Sequence, residues 1–221
     1  MPTLDLTPDE LLSTTRAVRK RLDLDRPLQL EIVRECLELA IQAPTGSNAQ
    51  GWHFVVVTSA EKRRRLAELY QKAFDAYRNM LVSVHNLARR DDVDKPQMGR
   101  IVESAEYLAA NLERVPIHLI PCIEGRADAV SGSRAVLAQA SQYGSIIPAT
   151  WSFMLAARAR GLGTCWTTLH LMYEKEAAEV VGIPYDAVTQ VALIPVAYAR
   201  GTDFCPARRK PLDAVLHVDR W

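Results

Sequence analysis

Over residues 29–43 the apolar positions Ile32, Val33, Cys36, Leu37, Ala40 and Ile41 recur at helical spacing and form one stripe. Pro44 stops that stripe, and small polar residues then lead through Trp52 into a β-branched run, so APTGSNAQGWHFVVVT reads as helix end, loop and strand (52–58). Ser59 can cap another helix, with Leu66, Leu69, Tyr70, Ala73, Phe74 and Tyr77 on its apolar side. Upstream, Thr7-Pro8-Asp9-Glu10 is a capping box with proline at the first helical position, which predicts a short helix over 8–16. Residues 85–98 are polar and weakly periodic and read as a loop. A helix over 99–112 follows, then a strand at 117–123, IHLIPCI, in which Pro121 argues for an edge or a bulge. After a further loop at 125–134, residues 139–160 are apolar on nearly every face and predict a central buried helix with a kink or break at Pro148. Gly161-Leu162-Gly163 ends it, and 164–170 reads as extended and hydroxyl-rich. A helix at 174–181 closed by Gly182 and a doubly covered strand at 188–199 complete the order.

Strands are few and separated by long connections, so the pattern predicts an α+β fold rather than a regular βαβ array. At 221 residues one domain, 1–221, is expected, with a variable excursion at about 72–134 that matches no recognisable motif. Val215, Leu216, Val218 and Trp221 make the final stretch too apolar for a free tail and suit docking on a partner subunit.

Composition narrows the function classes. A formal charge of +1 gives no reason to expect nucleic acid as a partner, and no apolar run approaches bilayer length, so no membrane is expected and a cytoplasmic protein is. The cysteines Cys36, Cys122, Cys165 and Cys205 lie far apart without a CxxC pair and are expected as buried thiols, Cys165 being the one nearest a candidate site. His53, His85, His118, His170 and His217 are scattered, without metal-ligand spacing. GxSxG, GxGxxG and GxxxxGK[ST] are all absent, which argues against a nucleophile elbow, a Rossmann domain and a P-loop.

Few catalytic side chains remain, but binding groups are plentiful. Arg16, Arg19, Lys20 and Arg21 crowd six positions in which only Val18 and Leu22 look fit to be buried. They are either a solvated face or an anion site, and Arg208-Arg209-Lys210 forms a second such cluster. The loop around Gly46 and Gly51 offers Thr45, Ser47, Asn48 and Gln50, and read alone it is either an ordinary polar turn or a ligand loop. Together these features suit a phosphorylated flat cofactor that brings its own reactivity.

TTRAVRKRLD resembles the RRSVRxF motif of the nitroreductase family, and APTGSNAQGWHFVVVT resembles its PSGxNxQPWxFxVV motif. ARARGLGTCW is similar to the family's central GLG-C-W segment, and RRKPLDAVLH to its closing R-K-P-L-x-x-V. The resemblance implies an intertwined homodimer of α+β subunits, each with an antiparallel β-sheet flanked by helices and with FMN at the subunit interface. It implies hydride taken from NADPH or NADH and passed to a nitro compound, quinone or similar small-molecule acceptor by ping-pong kinetics. Carried over by position, Arg16, Ala17 and Arg19 match the N-terminal flavin motif, directed to the phosphate and the pyrimidine edge, and Arg208 and Arg209 complete the phosphate site. Pro44, Thr45, Gly46 and Asn48 match the loop placed against the other subunit's flavin. Thr167, Thr168 and Leu169 fall where backbone donors face the ring's reactive nitrogen. The chain departs from the motifs at Thr15, Ala17 and Gly51, where arginine, serine and proline are usual, so one phosphate contact is missing or replaced. Runner-up roles on the same fold are reductive dehalogenation, flavin fragmentation, deazaflavin-linked reduction and non-catalytic flavin binding.

Overall fold

In the computed structural model, which describes residues 3–221, the expected capping box starts the first helix. Glu10 N–H donates to Thr7 Oγ1, Thr7 N–H donates to Glu10 Oε2, and α1 runs Pro8–Thr14. The stripe Ile32, Val33, Cys36, Ala40 is buried on α2 (Leu30–Ala40), which leads through the loop around Gly46–Asn48 into β1 (Trp52–Val57). Ser59 caps α3 (Ala60–Arg78) by accepting from Lys62 N–H. The expected loop at 85–98 instead holds a short helix α4 (Val84–Leu87) and the start of α5 (Lys95–Asn111). Asp94 accepts from Gln97 N–H and Pro96 sits in the first turn, so a cap-plus-proline start overrode the polar composition.

β2 (Ile117–Glu124) is not an edge strand. It pairs antiparallel with the whole of β1 through His118–Ile123 and, on its other side, with β4 (Val188–Gln190) and β5 (Ile194–Tyr198). The expected strand at 188–199 is thus two short strands with one residue more than β2 offers between them, since Cys122 faces Gln190 while Leu119 faces Ile194. The extra residue is a β-bulge opposite Pro121, whose missing N–H is tolerated there and whose carbonyl accepts from Val191 N–H. β3 (Leu162–Thr164) pairs with β5, giving an antiparallel order β1-β2-β5-β3 with β4 also on β2.

The pleat separates two cores. Ile117, Leu119, Ile194 and Val196 meet α2 and α6 (Ala135–Ala159) through Ile32, Val33, Cys36, Phe153 and Met154. On the other face Ile120, Cys122, Leu193 and Ala197 meet α3, α5 and α7 (Glu174–Val181) through Leu66, Tyr70, Phe74, Leu108 and Ala177. Of the kink or break expected at Pro148, a break does not occur: α6 runs through it. Proline removes only the bond to the Gly144 carbonyl, and burial of Ile146, Ala149, Phe153 and Met154 on either side of it holds the helix. No helix of the described residues is long and apolar enough to cross a membrane.

Candidate functional site

The bulge between β4 and β5 turns Leu193 toward a different partner. Leu193 N–H donates to the Thr167 carbonyl, and both Thr167 N–H and Thr167 Oγ1 donate to the Leu193 carbonyl. This pairing ends the chain's extended course, so the extended segment expected over 164–170 is the end of β3, a single bridge at Thr167 and the start of a 3₁₀ turn at Leu169–Tyr173. Thr167 N–H is therefore spent within the fold, which corrects its expected role as a donor to a ligand. Among the described residues the amides of Thr168 and Leu169 donate to no protein acceptor, and they open the 3₁₀ turn, where unpaired N–H groups favour electron-rich atoms.

Beside them lies the N-terminal cationic segment. Val18 N–H donates to the Thr164 carbonyl at 2.8 Å, Ala17 bridges Thr164, and Leu22 bridges Ala199. Val18 and Leu22 are buried, as the sequence pattern indicated, and this leaves Arg16 and Arg19 on the open side. The close approach requires Gly163: a Cβ there would stand 2.8 Å from Val18 Cγ1 and 2.9 Å from Leu22 Cδ2. Gly163→Ala is accordingly expected to lower stability by about 1 to 3 kcal/mol and to displace the arginine segment. Chemical denaturation read beside ligand affinity checks this, and an unchanged midpoint and affinity would sink it.

Arg16 donates through Nη1 to the Cys205 carbonyl at 2.8 Å and so draws the C-terminal segment onto the N-terminal one. The two basic clusters, far apart in sequence, then line one cavity of about 450 Å³, with Arg16, Ala17 and Arg19 on one side and Arg208 and Arg209 on the other. Gln97, Arg100, Ile101 and Ser104 of α5 form a third wall. From Arg19 the cavity continues into a second of about 330 Å³ lined by Tyr70, Phe74, Tyr77, Trp166, Thr167, Thr168 and Leu169. One end is thus cationic and the other aromatic, with backbone donors along one edge, a surface matched to a planar molecule with an anionic tail. None of the groups is a conventional acid, base or nucleophile. The Cys165 thiol is buried and pushed up by that burial, although Arg19 opposes the shift. Cys205, expected buried, is exposed and belongs to neither core.

Pro44, Thr45, Gly46 and Asn48 line neither of these cavities within the subunit. Their loop is tied to α6 by Gly46 N–H donating to Ser145 Oγ, and it holds Ser47, Asn48 and Gln50 at positive φ of 54°, 53° and 52°. Non-glycine residues in that region store strain that surrounding contacts must hold, a property common in ligand-binding loops.

Residues 12–198 match the family model described as the nitroreductase family. The chain belongs to the nitroreductase family. Among its relatives, Protein DrgA of Synechocystis sp. is 29% identical over 86% of this chain and 83% of its own length. The 4-nitrobenzoate reductase of a Nocardioides species is 27% identical over 80% of this chain and 74% of its own. In fold, the chain is similar to a putative nitroreductase from Exiguobacterium sibiricum solved in complex with FMN, with a TM-score of 0.68, 18% identity and coverage of 98% and 100%. The fold class read from the sequence therefore stands.

Several residues that line the candidate site were not singled out from the sequence. Tyr70, Phe74 and Tyr77 had been read as the core side of a helix, and their 3- and 4-residue spacing is the same whether the stripe faces a core or a cavity. Arg100, Gln97 and Ser104 lie in or beside the excursion, where only a correct placement of the α5 cap would have shown their common face.

Proposed function

We propose that this chain is an FMN-dependent NAD(P)H oxidoreductase that works as a homodimer on a nitroaromatic, quinone or similar small acceptor. The observation that carries this reading is the convergence of the N-terminal and C-terminal arginines on one cavity whose other end is aromatic and edged by the free amides of Thr168 and Leu169. That donor set fits a flavin mononucleotide: a phosphate for guanidinium forks, a flat apolar ring, and a pyrimidine edge that grows electron-rich on reduction. When bound, the flavin supplies the redox chemistry, taking reducing equivalents from NADPH or NADH and releasing them to the acceptor in separate half-reactions.

The protein's own part is binding, orientation and electrostatics. Arg16, Arg208 and Arg209 would hold the phosphate, and Ala17 would present its backbone beside it. Arg19, at the junction of the two cavities, would face the pyrimidine edge and favour the reduced state. The aromatic wall would exclude water and stack with flat substrates. The loop of Pro44, Thr45, Gly46 and Asn48 would serve the flavin held mainly by the other copy, which accounts for its absence from the cavity of its own chain. Support for the dimer comes from apolar side chains left exposed in one copy: Ile147 and Trp151 on α6, and Leu212, Val215, Leu216 and Trp221 at the C-terminus.

The relatives named for nitro substrates favour a nitro acceptor over the specialised reactions. The test begins with the absorbance spectrum of purified protein before and after NADPH or NADH: yellow colour that bleaches is expected, and protein that is colourless and takes up no added FMN removes the proposal. Arg16→Ala and Arg209→Ala should each weaken FMN binding by about 1 to 3 kcal/mol through loss of a charge-assisted contact. Unchanged affinity in both would refute the phosphate assignment.

A further inference from the structure

The family motif usually carries two adjacent arginines where this chain has Thr15-Arg16, and the structure takes Thr15 out of consideration as a substitute. Its hydroxyl turns back and donates to the Leu11 carbonyl at 2.6 Å, closing the end of α1. The cationic cavity therefore lacks the guanidinium that position 15 would have supplied.

α5 is placed to make good that loss. Gln97, Arg100, Ile101 and Ser104 stand at i, i+3, i+4 and i+7, one face of the helix, and all four line the cavity shared by the two arginine segments. The helix is fixed to both segments by ion pairs: Asp94, its N-cap, meets Arg208 at 3.1 Å, and Glu103 meets Lys20 at 2.7 Å. Between those two ties lies Arg100. It also lines the adjoining cavity of about 350 Å³ with Arg16, Ala17, Arg19 and Ser104, so it stands at the junction of the cationic space. Lys20, Arg21 and Arg208 are each balanced by a carboxylate, whereas Arg100 makes no hydrogen bond or ion pair among the described residues. An unbalanced guanidinium facing other cations is held there at an electrostatic cost that a bound anion would relieve.

We infer that Arg100 is a phosphate-binding residue of the flavin site, supplied by α5 in place of the missing arginine at position 15. This rests on the proposal that the cavity takes FMN and adds to it the ligand atom group and a helix that the motifs do not contain. A phosphate monoester carries nearly two negative charges and three acceptor oxygens, enough to take a further guanidinium beside those of Arg16, Arg208 and Arg209. The excursion then has a binding role: through α5 it supplies one wall of the phosphate site.

The experiment compares FMN with riboflavin, which has the same ring and no phosphate, on flavin-free protein by quenching of flavin fluorescence. Arg100→Ala should weaken FMN binding about tenfold or more while leaving riboflavin unchanged, and Arg100→Lys should keep part of the preference. Raised salt should narrow the gap between wild type and Arg100→Ala, because the lost term is electrostatic. Arg100 is exposed on a helix, where alanine is a better helix former, so an unaltered melting curve is expected and certifies the comparison. Equal FMN affinity in the variant and the wild type overturns the inference, as does an equal loss of FMN and riboflavin. Intact FMN affinity with a raised KM for NADPH or for an anionic acceptor overturns it too and gives Arg100 to the second substrate. Wild-type protein with no preference for FMN over riboflavin overturns instead the flavin-phosphate reading on which the inference rests.

Discussion

Flavin-free protein is expected to lose about 3 kcal/mol of stability between pH 6.5 and 5, in a range where carboxylates contribute little. The source is a pair of histidines sealed inside the core. His118 on β2 and His170 in the 3₁₀ turn are both fully buried, and burial lowers them from 6.5 to about 4 and about 3. A weaker contribution lowers His118 through Arg63, and the neighbouring His118 lowers His170. His118 Nε2 lies 2.8 Å from the Leu112 carbonyl, which fixes its tautomer, while its Nδ1 and both His170 nitrogens meet no partner among the described residues. Both rings stay neutral in the folded protein below pH 6.5, whereas in the unfolded chain they take up protons. Unfolding therefore binds about one proton at pH 6.5 and nearly two at pH 5, and stability falls as pH falls, flattening only near the depressed folded-state values. The carboxylates held low by partners, such as Glu106 beside Arg78 and His85 and Asp128 beside Arg126, add their losses only at lower pH, as they approach their ordinary range. Urea midpoints at a series of pH values give the slope directly. His170→Phe should roughly halve it, and a slope unmoved by that substitution would contradict the account.

Glu174→Ala is expected to cost about 3 kcal/mol or more, because it leaves a guanidinium buried without its main counter-charge. Arg126 and Glu174 are 11% and 16% exposed and meet through two hydrogen bonds of 2.9 Å, and Arg126 also donates to the Val188 carbonyl and stacks on Tyr185. Glu174 further accepts from Gln190 N–H, so one carboxylate ties the loop after β2, α7 and β4 together. Asp128, the other partner of Arg126, is 68% exposed, and Asp128→Asn should change stability by less than about 1 kcal/mol. Equal effects of the two substitutions on the urea midpoint would refute the distinction drawn from burial.

The contrast explains what could be read from the sequence and what could not. The capping box at Thr7, the stripe on α2 and the helix end at Gly182 follow from neighbours within four residues, and these features appear where the pattern placed them. The central position of β2 was not legible, because a strand containing proline is ambiguous until its partners are known, and those partners are far away in the chain. The same holds at the candidate site. Arg16, Arg19, Arg208 and Arg209 were found through clusters and motifs, and the structure brings them to one cavity. The spent amide of Thr167 could not be foreseen, since it depends on a bulge created by a mismatch of one residue between paired strands. Arg100 was hidden for the opposite reason: its helix begins inside a segment too polar to announce one.

The bridges that seat the N-terminal arginines also set an order of events during folding. Ala17 rests on Thr164 and Leu22 on Ala199, most of the chain away, and β2 has no partner on one side until residues 188–196 have been made. Contacts of such long range form late. During synthesis the arginines emerge first and wait, while the apolar IHLIPCI segment stays exposed until the final strands arrive to cover it. The cavity lined by the two arginine segments is thus among the last features to assemble, formed by a chain whose sheet is already closed.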